Sequence, residues 1–335
     1  MPPRTVLTLG NFDGPHLGHA ALIREARQRA APHQARVVAL TFDPRPVDVL
    51  APGQGPPRLT PVDQRIARLR ALGANDVRVL RPTPELLSRT AADFVAGLVD
   101  EYHPLAIVEG PDFRFGKDRT GDMRRLAELG RHHGFDAVTV PRVQAPLTDQ
   151  QLTPVSSSLV RWLVGRGRVA DAAACLGEPF VLTAPVVRGE QRGRQLNIPT
   201  ANLDADALAA FIVPADGVYA GTAQLKPRAE ERSDKAPAPP TFPAAISVGV
   251  KPTFGRRRLT VEAHLLDYQP VHADDLYGRT LTLRFARWVR DQYPFPGVQA
   301  LRQQLERDIA RVRRWHDQNR LHPPEPPSPY SSVAV

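Results

Sequence analysis

Close to Leu176 the periodicity of the chain changes, and this change restricts the available folds more than any other feature. Before it, short apolar runs alternate with helically spaced residues. After it, strand-like runs are separated by turn signals. The first pattern reads as βα units on a parallel sheet, because such strands are buried on both faces and are joined by helices. Predicted strands are Val6–Leu9, Val37–Phe42, Val77–Leu80, Leu105–Glu109 and Ala137–Val140. Thr60 is read as a helix cap with Pro61 at the first position and Ile66, Leu69 and Leu72 on one face. Ser156 similarly precedes Leu159, Val160 and Leu163, and a helix over Val169–Leu176 stops at Gly177, with Pro179 beyond it. The second pattern, with strands Val181–Val187, Gly217–Gln224, Ala244–Val250, Thr260–Leu266 and Thr280–Ala286, suggests a small antiparallel barrel. A helix from Val298 to about Trp315 carries the stripe Leu301, Leu305, Ile309 and Val312. The expected fold class is therefore α/β plus all-β. A Rossmann-like domain occupies 1–178 and a Greek-key-like β-barrel with its C-terminal helix occupies 179–318. A flexible loop insertion is expected at 226–240 and a disordered tail at 319–335.

A length of 335 residues accommodates two such cores. The single cysteine, Cys175, excludes an internal disulfide framework and sits in a run of small residues suited to a core. No apolar stretch reaches membrane-spanning length, and Met1-Pro2-Pro3-Arg4 leads into a strand without a signal-peptide core, so a cytoplasmic protein with no membrane partner is expected. The net charge of +9 invites a nucleic-acid partner. However, the arginines are spread along the whole chain, and Arg256-Arg257-Arg258 and Arg311-Val312-Arg313-Arg314 lack interleaved aromatics. ATP and other phosphates are the expected anionic ligands, and no specific nucleic acid is expected.

The segment Gly10-Asn11-Phe12-Asp13-Gly14-Pro15-His16-Leu17-Gly18-His19 stands where a buried strand turns into a helix. A helix N-terminus offers unpaired N–H groups and a positive dipole end to an anion. Gly14 and Gly18 let backbone approach phosphates, and His16 and His19 supply donors for charge building on an oxygen. Gly10, Asn11 and Phe12 belong to the same phosphate-binding loop. A lone His-x-Gly-His would be weak evidence and could be a polar loop with a capping histidine, but the strand before, the helix after and the Asp-Gly turn all point to a phosphate site. A second block, Gly110 to Asp122, follows a strand and mixes aromatics with cations, at the end of the sheet where ligands gather. In a third, Ser156, Ser157 and Ser158 open a helix with Arg161 one turn in, suited to β- and γ-phosphates or to ordinary capping. Thr41-Phe42-Asp43-Pro44-Arg45-Pro46 forms a rigid strand exit that presents Phe42 to a planar ring or to the core.

In the second half, Gly189 and Gly193 allow a phosphate-hugging loop. Thr200 and Asn202 lie on one side of an extended stretch, where both can ligate Mg²⁺ or simply make a turn. On the strand around Val261, Glu262 and His264 share a face. Glu262, read as an inward carboxylate in an apolar strand, is a candidate general base for a primary hydroxyl; the other reading is a surface glutamate.

Together these blocks resemble the bifunctional bacterial riboflavin kinase/FAD synthetase family, and the resemblance covers nearly the whole chain. It implies an N-terminal nucleotidyltransferase domain, in which the pair His16 and His19, with Arg161, assists attack of a flavin-mononucleotide phosphate oxygen on the α-phosphorus of ATP. Phe42, Asp112 and Phe113 would contact the flavin. In the barrel, Thr200 and Asn202 would bind Mg·ATP, and Glu262 would activate the riboflavin 5′-hydroxyl. ATP, Mg²⁺, riboflavin, FMN and FAD are the implied ligands. The match of Gly249-Val250-Lys251-Pro252-Thr253-Phe254-Gly255 and Asp275-Leu276-Tyr277-Gly278 supports the barrel assignment. Departures from the family pattern are Ser158 for Thr, Val160 for Ile, Arg45 for His and Asn197-Ile198 for Gly-Phe. Two alternatives stay open at this point. One is a member with a single activity, and the other is a flavin- or nucleic-acid-binding regulator on the same fold, which would not consume ATP.

Overall fold

The computed structural model describes residues 4–189, 198–226, 239–253, 256–269 and 275–321. The sequence readings at Gly193, Asn197, most of 226–240 and 322–335 lie outside the described residues. The chain divides into two compact units, one formed by residues up to Ala145 with Leu152–Ser157, the other by Pro146–Gln151 and everything from Ser158 onward.

The first unit is a parallel sheet in the order β3-β2-β1-β4-β5, with β1 Thr5–Leu9, β2 Arg36–Phe42, β3 Asp76–Leu80, β4 Pro104–Glu109 and β5 Asp136–Thr139. Its helices are α1 Leu17–Ala30, α2 Pro46–Leu50, α3 Val62–Ala71, α4 Pro84–Leu87, α5 Ala91–Tyr102 and α6 Met123–His133. All five residues of β1 are buried, which fits its largely apolar composition; Thr5 and Thr8 are buried with the rest. Val6, Val37 and Ala39 pack with Ile23 of α1 and Leu69 of α3 on one face of the sheet. Leu7, Val38 and Leu40 pack with Phe94 and Leu98 of α5 and Leu126 of α6 on the other. The alternation of side chains along a strand sends Val6 and Leu7 to opposite layers. The expected cap at Thr60 is corrected: Pro61 holds the cap position of α3 without a side-chain bond. The Thr60 hydroxyl instead accepts the Gly14 N–H at 3.1 Å. Gln144–Pro146 (β6) and Leu152–Pro154 (β7) form a separate two-stranded sheet.

The second unit is a closed antiparallel barrel in the order β10-β11-β12-β9-β8-β13. Its strands are β8 Phe180–Val187, β9 Ala201–Leu203, β10 Gly217–Leu225, β11 Thr241–Thr253, β12 Arg256–Leu265 and β13 Thr280–Arg290. Strand β9 is absent from the predicted set because three residues are too few to show a period. Helices α7 Ser157–Gly165, α8 Val169–Leu176, a short α9 Ala205–Leu208 and α10 Val298–Leu321 complete the unit. The expected boundary at residue 178 differs from the structural division, which falls at the first residue of α7. The reason is packing: α8 lies on β8 and β13. Its Asp171 accepts the Thr148 N–H at 2.6 Å, tying down the Pro146–Gln151 segment. Cys175 is fully buried there, and burial pushes its thiol up to about 11, so it is an inert core residue. Helix α10 packs Val312, Ile309 and Trp315 against Val218, Ala220, Leu266 and Val289. It runs through Leu321, six residues past the predicted end, so 319–321 are helix rather than tail.

Candidate active sites

In the first unit, the loop after β1 is held by its own buried side chains. Phe12 adopts a left-handed backbone (φ 46°) and packs its ring in the core, edge-on to His19 at 5.0 Å. Its ring therefore supports His19 from beneath, within the loop expected to bind phosphate. Gly14 has φ +65°, and a Cβ there would lie 2.7 Å from Leu59, so only glycine fits the turn. Asp13 is buried and its Oδ1 accepts the N–H groups of Leu59 (2.9 Å) and Thr60 (3.2 Å), while Oδ2 faces Arg45 Nη1 at 3.3 Å. The same buried guanidinium bonds both oxygens of Asp48 (3.1 and 2.8 Å) and the Pro56 carbonyl (2.8 Å). Its hydrogen bond holds the Asp48 carboxyl below the usual range. Arg45, the departure from the family histidine, thus anchors the loop from within.

His16 caps α1. Its Nδ1 accepts the Gly18 N–H at 3.1 Å, and the His16 N–H donates to Nδ1 of His19 at 3.2 Å. Because both Nδ1 atoms are acceptors, the hydrogen-bond network assigns both rings as neutral with the proton on Nε2. The rings stack at 3.7 Å with an 18° angle. Burial lowers His16 to about 4. Burial, and then the neighbouring His16, hold His19 well below the ordinary 6.5. The consequence is a pair of preorganised N–H donors beside a helix N-terminus, which need no protonation change near neutral pH.

Other sequence-predicted residues take varied places. The Ser157 hydroxyl donates to the Asp13 carbonyl at 2.7 Å, bringing the serine block to the histidine loop. Ser156 and Ser158 are exposed, and Ser158 and Arg161 fall within the second unit. Asn11 is exposed and its carbonyl accepts the Thr41 hydroxyl at 3.0 Å. Phe42 is half-buried at the end of β2, its carbonyl taking the buried Arg65 guanidinium at 2.8 Å. Asp112 is exposed and pairs with both guanidinium arms of Arg142 (2.9 and 2.7 Å), while Phe113 stacks on Phe115 with centroids 5.3 Å apart.

In the second unit, Val261, Ala263 and Leu265 take the buried face of β12. Glu262 and His264 therefore share the opposite, half-buried face, which corrects the inward placement expected for Glu262. Glu262 stands directly opposite Asn202 of β9 in the ladder, so the two side chains are cross-strand neighbours. The Thr200 hydroxyl donates to Glu262 Oε2 at 3.4 Å, and His264 Nδ1 meets the Pro199 carbonyl at 2.8 Å. Gly189 lies against Asn202 so closely that a Cβ would sit 2.5 Å from its amide carbon. The Arg188 guanidinium lies over the Tyr277 ring at 5.3 Å, and Gly278 N–H donates to the Val186 carbonyl at 2.9 Å. Segments far apart in sequence thus bring a hydroxyl, an amide and a carboxylate together in one cluster.

Sequence reasoning missed the roles of Arg45, Leu59 and Thr60. The only signal for Arg45 was its departure from the family histidine, because its partner Asp13 lies 32 positions away.

Two family models match the chain, FAD synthetase over residues 1–158 and riboflavin kinase over residues 176–316. The bifunctional riboflavin kinase/FMN adenylyltransferase of Escherichia coli K12 is 30% identical over 311 residues, covering 92% of each chain. That of Pseudomonas fluorescens is 33% identical over 310 residues, again covering 92% of each. Among solved structures, one of a macrolide-efflux protein from Streptococcus pneumoniae superposes with a TM-score of 0.79 at 28% identity, covering 94% of this chain and 95% of the other. Among the described residues, no helix is long and apolar enough to cross a membrane.

Proposed function

The chain belongs to the bifunctional riboflavin kinase/FMN adenylyltransferase family, and on that premise we propose how its residues divide the two steps from riboflavin through FMN to FAD. Adenylylation belongs to the first unit. An FMN phosphate oxygen attacks the α-phosphorus of ATP, the new P–O bond forms as the bond to the β-phosphate oxygen breaks, and pyrophosphate leaves. Nε2–H of His16 and of His19 donate to the oxygens on which charge builds, so no covalent intermediate is required. The stacked, neutral histidine pair carries this assignment. Gly10, Asn11, Gly14 and Gly18 shape the phosphate loop, and Ser156 and Ser157 are further phosphate contacts within this unit. Phe42, Asp112 and Phe113 are the flavin contacts.

Phosphorylation belongs to the barrel. Glu262 accepts the proton of the riboflavin 5′-hydroxyl as its oxygen attacks the γ-phosphorus and ADP leaves. Thr200 and Asn202 would hold Mg²⁺ entering with ATP, and their neutral oxygens beside Glu262 fit a hard cation. The ion would neutralise phosphate charge. The direct test of the reading is chromatography of riboflavin, FMN and FAD after incubation with ATP, with and without Mg²⁺. Sequential appearance of FMN and FAD is expected, and accumulation of FMN without FAD would remove the adenylylation assignment.

Two consequences arise here. Since His16 stays neutral down to about 4, the histidine pair imposes no loss of FMN adenylylation between pH 8 and 6, and activity falls as pH approaches that value. The sign follows from burial. Between 6.5 and about 4 the unfolded chain takes up a proton at His16 that the folded unit refuses, so stability also falls as pH drops through this window. A rate that halves near pH 6.5 with a histidine-like slope would contradict the neutral pair. The second consequence concerns Gly189: the added Cβ in Gly189→Ala displaces Asn202, so the KM for Mg·ATP in riboflavin phosphorylation rises ~10–10²-fold with adenylylation unchanged. A parental KM would show that Asn202 is not a ligand.

A further inference from the structure

Strands β1 and β4 part at the centre of the first sheet. Their pairing ends at Leu7 and Ile107. Each stays paired with its outer neighbour for two residues more, β1 through Leu9 with Leu40 and β4 through Glu109 with Thr139. This parting lies at the topological switch point of the order β3-β2-β1-β4-β5, where open α/β sheets place their ligands. The two strands lead directly into the two recognised loops, one at Gly10 and the other at Gly110.

The side chain of Glu109 reaches across the gap. Its Oε1 accepts the Leu9 N–H at 2.5 Å, and the Thr8 hydroxyl lies 3.5 Å from the same oxygen. A side chain thus takes over where the backbone ladder stops, one residue before each loop. Glu109 is 2% exposed. A polar side chain buried in the central strand of a sheet is costly unless its hydrogen bond does structural work. No role described above uses it.

We propose that Glu109 is a positioning residue for adenylyl transfer: by bridging β4 to β1 at the switch point it sets the spacing between the loop carrying His16 and His19 and the loop beginning at Gly110. The inference rests on the assignment of adenylylation to this unit. Burial raises the Glu109 pKa above the usual carboxylate range, a direction that favours the neutral form beside a polyanionic nucleotide. What the bridge requires is an oxygen acceptor for the Leu9 N–H at this reach, and an amide supplies one.

The test is steady-state conversion of FMN to FAD with ATP varied, for the parent and for Glu109→Gln, Glu109→Asp and Glu109→Leu. Gln keeps the acceptor and the reach, and its KM for ATP stays within about twofold of the parent. Asp shortens the reach by one methylene and Leu strands the Leu9 N–H, so both raise that KM about tenfold. A role in folding alone would lower kcat through the amount of native enzyme and leave KM unchanged. Parental KM values in Asp and Leu therefore overturn the proposal, as does a Gln variant that loses as much as the others. If the Leu variant does not fold, the contrast between Gln and Asp decides, and equal KM values overturn it. Failure of the parent itself to convert FMN would instead remove the site assignment beneath it.

Discussion

Glu262→Gln is expected to abolish riboflavin phosphorylation almost completely while FMN added from outside is still converted to FAD. The amide keeps the oxygen that accepts the Thr200 hydroxyl, so the local geometry on the face shared with Asn202 survives. What it cannot do is take a proton from the riboflavin hydroxyl, and loss of a positioned base lowers the rate by ~10²–10⁴-fold. The two activities are read from one preparation, with riboflavin as substrate for the first and FMN for the second. Adenylylation serves as the control for an intact first unit, and an unchanged melting profile of the barrel serves for the second. Equal loss of both steps in folded protein would contradict the division of labour, and retained phosphorylation would take the base role from Glu262.

The mirror-image outcome is expected for His19→Ala. Removing one preorganised donor to a developing charge lowers adenylylation by ~10²–10³-fold, and FMN made from riboflavin accumulates. The substitution also leaves the His16 N–H without its Nδ1 acceptor and removes the ring stacked on His16. His19→Asn, which offers a smaller donor and acceptor at the same position, should recover part of the loss if hydrogen bonding matters more than packing. FAD output equal to the parent in the alanine variant would show that the histidine pair does not stabilise the reaction.

The legible part of this protein was whatever nearby residues decide. A strand buried on both faces reads as a largely apolar run, as at Val6–Leu9, and barrel strands read as short runs between turn signals, as at Val181–Val187. Fold class and the order of elements followed from these local periods. The loops at Gly14 and Gly189 were visible because glycine is needed where backbone turns back or side chains crowd in, and both glycines meet that need in the structure. Strand β9 escaped because three residues carry no period, and the boundary at 178 moved because α8 is amphipathic toward whichever core receives it, here β8 and β13.

The chain alone thus determined that a parallel α/β sheet precedes a small barrel, and which loops carry polar groups able to do chemistry. Tertiary structure decided the state of those groups. That Glu262 lies on the outer face of β12 depends on Val261, Ala263 and Leu265 winning the interior. That His16 and His19 are neutral depends on their burial and on the backbone donors at both Nδ1 atoms. Arg45 with Asp13, and Glu109 with Leu9, join residues 32 and 100 positions apart. Local propensity reaches only a few residues along the chain, whereas ionisation, tautomer and orientation follow from desolvation and from partners that meet only once the sheet and barrel have formed.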